Sequence, residues 1–166
     1  MARQLWLLRH AEAEPHGSRP DSERRLTERG ERQARAAGTA LERIGAKFDA
    51  ILFSPKVRAR QTAELAAEAW SSQQRKRLRE HPPLAGGFDA AQALDALAEV
   101  GADGCLLLVG HEPDLSQVVG ELTGGRIDLK KGGAAAVRLE GSGGELVVLV
   151  RPRELALIAG APSGRD

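Results

Sequence analysis

The chain alternates short apolar runs with longer segments in which apolar residues recur at helical spacing. Five of the apolar runs have the length of a strand: residues 4–8, 50–53, 105–109, 135–139 and 146–150. Strands that alternate with helices are typical of an α/β sheet with helices on both faces. The last two runs flank the turn-forming residues 141–144 and predict a hairpin. The sequence therefore predicts a three-layer α/β/α fold, with a mostly parallel sheet and an antiparallel hairpin at its edge.

Helical patterns fill the intervals, and capping residues mark where several of them begin. The predicted helices span residues 28–44, 55–70, 90–100, 113–122 and 154–159, and a short strand is predicted near residues 76–79. Thr27 and Asp89 stand where N-caps are expected, and Ser54 with Pro55 provides a cap and a first-turn proline. Gly30 falls in the first turn of the first helix, where glycine costs about 1 kcal/mol relative to alanine. Close packing is the only reason for it that the sequence offers.

A long polar connection, residues 11–25, separates the first strand from the first helix. Pro15, Gly17 and Pro20 interrupt it, so it carries no periodic pattern. Connections of this length are typically either covers of a functional site or disordered segments. The sequence leaves both roles open.

Length and composition are those of a small globular protein. A chain of 166 residues predicts a single domain, over residues 1–159, with a frayed tail at residues 160–166. The net charge of +1 gives no field that would favour nucleic acid, and no apolar run approaches the length of a membrane span. Cys105 is the only cysteine, which fits a reducing compartment, and its apolar neighbours predict a small core residue. We expect a cytoplasmic monomer that binds neither nucleic acid nor membranes.

Basic and reactive residues follow three of the predicted strands. Arg9 and His10 come directly after the first strand, Ser54 and then Arg58 after the second, and His111 after the strand at residues 105–109. Ligands of an open parallel sheet bind beyond the carboxyl ends of its strands, so these side chains should meet at one edge. Helix starts near Ser54 and His111 would add free N–H groups there. Two guanidiniums, two imidazoles and two helix N-termini indicate a phosphate site, in which we count Ser54 among the substrate-binding residues.

Four ordered motifs carry a resemblance to a known family. Residues 7–11, Leu-Leu-Arg-His-Ala, resemble the Arg-His-Gly signature of the histidine phosphatase superfamily (phosphoglycerate mutase-like), with alanine in place of glycine. Residues 26–34 resemble its Leu-Thr-x-x-Gly-x-x-Gln-Ala helix start, and residues 54–63 its Ser-Pro-x-x-Arg-Ala-x-Gln-Thr motif. Residues 109–113, Val-Gly-His-Glu-Pro, resemble its second histidine motif. Together they extend over residues 4–122, and the short chain is most similar to the SixA-type phosphohistidine phosphatases.

The resemblance implies a fold, a mechanism and a set of roles. The fold would be that of the histidine phosphatases. His10 would be the nucleophile, Arg9 and Arg58 the phosphate clamps, and His111 a donor to the phosphoryl oxygens. No metal and no other cofactor is implied, which agrees with the lack of metal-ligand spacing in the sequence. The implied substrate is a phosphorylated protein carrying phosphohistidine, or else a small phosphate ester.

The general acid is where the sequence departs from many members of the superfamily. These carry a Glu or Asp between the arginine motif and the second histidine, and Glu80 is the nearest candidate here. Asp89 is better explained as a helix cap. SixA-type enzymes resemble this chain in lacking a clear acid. Their substrate offers a rationale, since protonated phosphohistidine leaves as neutral imidazole and asks less of an enzymic acid.

Two other functions stay open at this stage. The first is a phosphatase for a small phosphomonoester, with Glu80 or a water molecule as the acid. The second is a phosphate-binding module that has kept the cations and lost turnover. The intact His10 speaks against that module, because a binder would need only the cations. A mutase is disfavoured, because the chain lacks the insertions that such relatives use to retain phosphate.

Overall fold

Runs rich in leucine, valine and alanine form one six-stranded sheet. The computed structural model describes residues 3–141 and 143–161. Strands β1 to β6 are Arg3–Arg9, Ala50–Phe53, Leu78–Glu80, Cys105–Gly110, Ala134–Glu140 and Gly143–Val150. They lie in the order β3-β2-β4-β1-β5-β6. β1, β4, β2 and β3 pair in parallel, whereas β5 is antiparallel to both β1 and β6. The predicted mostly parallel sheet with an antiparallel edge hairpin is confirmed.

Helices cover both faces of this sheet. Helices α1 to α6 are Glu28–Ile44, Val57–Ala67, Ser72–Arg75, Ala90–Ala98, Asp114–Thr123 and Pro152–Ala159, and two 3₁₀ turns occur at Asp21–Glu23 and Pro82–Ala85. α1, α2 and α6 pack on one face, and α4 and α5 on the other. The short helix α3 and the 3₁₀ turns are too short to leave a periodic pattern, and the sequence did not predict them. Within the described residues, no helix is long and apolar enough to span a bilayer.

The pleat of β1 divides the core into its two halves. Leu5 and Leu7 are fully buried against α4 and α5, while Trp6 and Leu8 face α1 and α2. Each such side chain contributes roughly 1.5–3 kcal/mol through removal of apolar surface from water. A strand buried on both faces leaves no polar position until its end, which is where Arg9 stands. The half-buried Cys105 packs against the α1/α2 side, and burial raises the pKa of its thiol to about 12.

The start of α2 differs from the prediction. Ser54 was expected to cap this helix with Pro55 in its first turn, but α2 begins at Val57, with Lys56 at the N-cap. The Ser54 hydroxyl does accept a hydrogen bond from the Lys56 N–H at 3.2 Å, so it caps a turn that precedes the helix. Its second partner is His111, and this contact holds the hydroxyl at the strand end. The two predicted N-caps Thr27 and Asp89 are confirmed, at 3.0 and 2.9 Å from their N–H donors.

The 11–25 loop is ordered and lies against the sheet edge. Ala13 forms an isolated bridge with Leu26, and the 3₁₀ turn Asp21–Glu23 packs on α2. Arg24 is buried and donates from Nη1 to the Glu14 carbonyl at 2.7 Å. Of the two roles the sequence left open, the structure shows a folded cover.

Two further predictions concern the C-terminal tail and the turn of the β5–β6 hairpin. Gly160 closes α6 in a left-handed conformation, and the Ala161 N–H donates to the Ala156 carbonyl at 3.0 Å. Residues 162–166 of that tail lie outside the described residues. Ser142 of the predicted hairpin turn lies outside them as well.

The structure explains why position 30 is a glycine, which the sequence alone did not. A Cβ built at this position would lie 1.9 Å from the carbonyl oxygen of Glu12. That same carbonyl accepts the N–H of Thr27 at 3.0 Å, so the backbone after β1 lies directly on the first turn of α1. Neither side of this contact can withdraw, because both are backbone. Gly30 therefore permits the docking of the chain that follows Arg9 and His10.

We predict that Gly30→Ala destabilises the fold by about 2 kcal/mol or more, the cost of forcing an atom into a packed contact. Gly120→Ala is the matched control, because Gly120 is also helical and the nearest atom to its added Cβ is 3.4 Å away. The control should be neutral or more stable by up to about 1 kcal/mol, through the helix propensity of alanine. Urea unfolding of the three proteins measures both effects. Equal stabilities for the two variants would refute the packing explanation.

Candidate active site

The site is built around His10, the first residue after β1. Its ring is almost fully buried, and Nδ1 lies 2.8 Å from the carbonyl oxygen of Ala11. A carbonyl can only accept, so Nδ1 carries the proton and donates it, and Nε2 of the neutral ring keeps its lone pair. Burial is the main cause that lowers the pKa of His10 to about 3; the Ala11 carbonyl opposes it, and the nearby charges of Arg58, Arg9 and Lys131 act in the same direction as burial. The ring is therefore neutral at physiological pH, with Nε2 available as a nucleophile.

The backbone around His10 is held from two sides. The His10 N–H donates to the Gly110 carbonyl of β4 at 3.0 Å. From the other side, the N–H of Gly132 lies 3.1 Å from the Arg9 carbonyl and 3.0 Å from that of His10. Gly132 adopts a φ of +76°, which glycine reaches without strain and which turns its N–H toward the strand end. His10 is thus fixed on a rigid part of the fold.

His111 faces His10 across the same edge. The two ring centroids are 5.3 Å apart. Nε2 of His111 shares a hydrogen bond of 2.7 Å with the Ser54 hydroxyl, and Nδ1 is buried without a partner. Ser54 has no exposed surface, and among the described hydrogen bonds Nε2 of His111 is the only acceptor for its hydroxyl proton, so the hydroxyl donates to Nε2. This leaves the ring proton on Nδ1, where His111 can donate to a bound anion.

Arg9 projects from the end of β1. Its Nη1 donates to the Leu129 carbonyl at 3.0 Å. Leu129 is held in turn, because its N–H donates to Ser116 Oγ at 3.1 Å, and that hydroxyl donates to Glu112 at 2.5 Å. Burial lowers the pKa of Arg9, while the charges of Glu112 and Asp128 raise it. The guanidinium remains charged, with its Nε buried and unpartnered.

Arg58 reaches the site from the first turn of α2 and is also almost fully buried. Nη1 donates to the Asp21 carbonyl at 2.7 Å, and Nη2 lies 3.3 Å from Asp21 Oδ2. Burial lowers the pKa of Arg58, and the carboxylate of Asp21 opposes this. As in Arg9, the Nε of Arg58 is buried without a partner.

Three buried donors thus stand beside one nucleophilic nitrogen: Nε of Arg9, Nε of Arg58 and Nδ1 of His111. Unpaired buried donors are costly in protein interiors, and such groups are found where function requires them. A tetrahedral oxyanion has enough acceptor oxygens for all three. The geometry therefore favours a bound phosphoryl group, with His10 Nε2 placed to attack it.

Polar residues of the sequence motifs hold the chain that follows His10. Thr62 Oγ1 accepts the Ala11 N–H at 3.1 Å and donates to the Arg58 carbonyl at 2.7 Å, which connects the chain after His10 to α2. Gln33 accepts the Glu12 N–H at 3.0 Å from α1. The sequence motifs include Thr62 and Gln33 but do not indicate their role, which is to bind backbone N–H and carbonyl groups.

The structure brings together four of the predicted site residues: Arg9, His10, Arg58 and His111. Ser54 lies behind His111 with no exposed surface, and its hydroxyl orients the His111 ring. Its direct contact with substrate stays a prediction. The sequence analysis did not identify Asp21, Lys56 and Lys131. Lys131 lies close enough to affect the pKa of His10, and Lys56 and Asp21 that of His111. All three belong to loops or turns, which carry no periodic signal.

Glu80, the candidate general acid, lies at the exposed end of β3. β3 and β1 are separated by β4 and β2, a lateral distance of roughly 14 Å at ordinary strand spacing. Among the residues described, no hydrogen bond or ion pair joins Glu80 to the four site residues. Nor does any trio of His, Cys, Asp or Glu in the described ranges lie close enough to hold a metal ion.

Comparison with known proteins agrees with this geometry. The family model of the histidine phosphatase superfamily (branch 1) matches residues 5–83. An uncharacterized protein of Picosynechococcus sp. is 32% identical over 169 residues, which cover 92% of this chain and 98% of that protein. The structure of the protein histidine phosphatase SixA complexed with tungstate superposes with a TM-score of 0.78 at 26% identity, covering 92% of this chain and 99% of the other.

A further structure extends the fold to small-molecule enzymes. The α-ribazole phosphatase of Shigella flexneri has a TM-score of 0.69 at 20% identity, covering 90% of this chain and 96% of the other. At this identity the likeness shows a shared fold. The chain belongs to the histidine phosphatase superfamily, and it is a phosphatase.

The two buried imidazoles predict an acid sensitivity of the fold. Burial is the main cause that lowers the pKa of His111 to about 3, as for His10, and the closeness of the titratable His10 ring and the charge of Arg58 act in the same direction. Between the ordinary pKa of about 6.5 and these lower values, the unfolded chain binds protons that the folded chain does not. Their stabilising contribution is complete above about pH 6.5 and is lost as the pH falls toward 3. At pH 4.5 the loss should be between about 2 and 3 kcal/mol for each ring, since that pH lies two units below the ordinary pKa.

Urea unfolding at pH 7.5 and pH 4.5 measures this loss. The double variant His10→Asn/His111→Asn should lose about 5 kcal/mol less than the wild type between the two pH values. His16→Asn removes an exposed histidine of the 11–25 loop and should behave as the wild type. Identical pH dependence in the double variant and the wild type would mean that the two rings are not held neutral by burial.

Proposed function

We propose that this phosphatase hydrolyses phosphohistidine in a protein substrate through a covalent phosphohistidine on His10. One observation carries the proposal: a neutral, buried His10 with its Nδ1 proton held by the Ala11 carbonyl and its Nε2 free, beside two guanidiniums and His111. We further propose that no cofactor is required and that the protein acts as a cytoplasmic monomer. The clamp arginines then neutralise the phosphoryl oxygens, a task that metal ions perform in other phosphoryl-transfer enzymes.

The reaction would proceed in two transfers. In the first, the Nε2 lone pair of His10 attacks phosphorus, the P–N bond of the substrate breaks, and its electron pair returns to the substrate imidazole. That imidazole leaves neutral if its other ring nitrogen is protonated. In the second, a water oxygen attacks phosphorus and loses its protons to solvent and phosphate, and the P–Nε2 bond breaks to release inorganic phosphate. The equatorial oxygens are bound throughout by Arg9, Arg58 and His111.

The state of the nearby carboxylates supports a substrate with a good leaving group. Asp21 is bound by cations, which hold its pKa below the usual range, with the hydrogen bond from Lys56 contributing most. Glu112 accepts two hydrogen bonds from Ser116, at 2.9 Å from its N–H and 2.5 Å from its hydroxyl. Asp21 is thus held ionised, both oxygens of Glu112 are engaged as acceptors by Ser116, and no hydrogen bond or ion pair joins Glu80 to the site residues described. Phosphohistidine needs no such acid, whereas an alkyl phosphate does.

Trapping should locate the phosphoryl group. Brief reaction with labelled phosphohistidine peptide, quenched in alkali, should give a phosphoenzyme that is stable in base and lost in acid, with the label in the peptide that contains His10. His10→Asn should abolish the label, and His16→Asn should retain it. A label on a serine, an aspartate or His111 would contradict the assignment of the nucleophile.

A panel of substrates tests the leaving-group argument. Phosphohistidine peptide and aryl phosphates should be hydrolysed, and phosphoserine and sugar phosphates more slowly by about 10²–10⁴-fold, the usual contribution of a general acid. EDTA should change none of these rates. Glu80→Gln should leave phosphohistidine turnover within a few-fold of the wild type. If phosphoserine or a sugar phosphate were cleaved as fast as phosphohistidine and Glu80→Gln abolished that activity, Glu80 would be the acid and a small phosphomonoester the substrate.

A further inference from the structure

The 11–25 loop brings a carboxylate to one of the clamp arginines. Asp21, in its 3₁₀ turn, accepts two hydrogen bonds from Arg58: Nη1 donates to its carbonyl at 2.7 Å, and Nη2 to Oδ2 at 3.3 Å. We propose that Asp21 is a positioning residue for Arg58, which it holds by the far end of the guanidinium so that the Nε edge faces the phosphoryl group. This inference rests on the proposed function of the same site.

The geometry of a guanidinium gives this contact its meaning. An arginine can bind an oxyanion through its two terminal nitrogens or side-on through Nε and one terminal nitrogen. Asp21 accepts hydrogen bonds from both terminal nitrogens of Arg58, and Nε is buried without a partner among the described residues. The side edge is then the one left for phosphate. Arg58 has little freedom to change this arrangement, because only 5% of its surface is exposed.

Asp21 is itself firmly fixed. Arg24 donates to Oδ1 from Nε at 3.2 Å and from Nη2 at 3.0 Å, and Lys56 Nζ lies 3.0 Å from Oδ2. These contacts hold the pKa of Asp21 below its usual range, so the group stays ionised at the pH of the reaction. Arg24 is buried and anchored in turn to the Glu14 carbonyl. The loop therefore presents a rigid anion to Arg58.

A carboxylate at this place could act in the opposite sense, as an anion that competes with phosphate for Arg58. The two roles predict opposite results. If Asp21 positions Arg58, removing its charge loosens the clamp and weakens both phosphate binding and turnover. If Asp21 competes, removing its charge frees Arg58 and Lys56, and phosphate binds more tightly.

The experiment compares Asp21→Asn with Glu23→Gln. Glu23 lies in the same 3₁₀ turn, is exposed, and loses the same charge without touching Arg58. Asp21→Asn should lower kcat for phosphohistidine peptide by about ten- to hundredfold, the scale of one lost charge-assisted hydrogen bond, and weaken binding of inorganic phosphate in calorimetry. Asp21→Glu, which keeps the charge, should recover part of the loss. Glu23→Gln should match the wild type in both measurements.

A double-mutant cycle separates positioning from a structural role. In an Arg58→Lys background the planar fork is gone, so adding Asp21→Asn should change kcat by less than a few-fold. A full effect of Asp21→Asn in that background, an unchanged kcat in the single variant, or tighter phosphate binding would each overturn the inference. Failure of the wild type to turn over phosphohistidine would contradict the proposed function alone, because phosphate affinity tests the contact between Asp21 and Arg58 independently.

Discussion

The structure depends on holding four basic side chains at one edge of a sheet, three of them buried and Arg9 half-buried. Two guanidiniums and two imidazoles lie close together with little exposure to water, and full protonation of all four would leave a dense positive charge in a poorly solvated place. Burial removes the charge of the two imidazoles by keeping His10 and His111 neutral. The acidic groups Asp21, Glu112 and Asp128 balance the charge of the two guanidiniums without forming hydrogen bonds to the imidazoles. A chain of near-zero net charge thus maintains a strongly cationic site.

The placement of the four principal residues follows from sheet geometry, and for this reason the sequence could predict it. Three strands end in Arg9-His10, Ser54 and Gly110-His111, and parallel pairing brings those ends together whatever the details of the helices. The role of Ser54 could not be predicted in the same way. A serine after a strand can cap the next helix or bind a side chain across the edge, and only the three-dimensional neighbourhood of its hydroxyl decides between them.

Asp21 shows a different limit of sequence reasoning. It lies in a connection broken by proline and glycine, where neither period 2 nor period 3.6 applies, and its partner Arg58 is 37 positions away. The glycine at position 30 is similar, since its reason is a backbone contact with Glu12 that only the folded chain reveals. Both features belong to the chain that folds over the strand end. What the sequence left undecided was therefore how that chain packs, and the site's hydrogen-bonded support depends on this packing.

The hydrogen bond between His10 Nδ1 and the Ala11 carbonyl has a consequence for which ring nitrogen can be phosphorylated. Imidazole offers two nitrogens to phosphorus, and the two phosphorylated isomers differ in structure and in reactivity. With Nδ1 bound to a backbone acceptor at 2.8 Å, the phosphoenzyme that we propose would carry its phosphoryl group only on Nε2, the nitrogen remote from the main chain. A peptide carbonyl cannot be titrated or rotated away without moving the strand end. The choice of isomer is therefore built into the backbone and does not depend on any replaceable side chain.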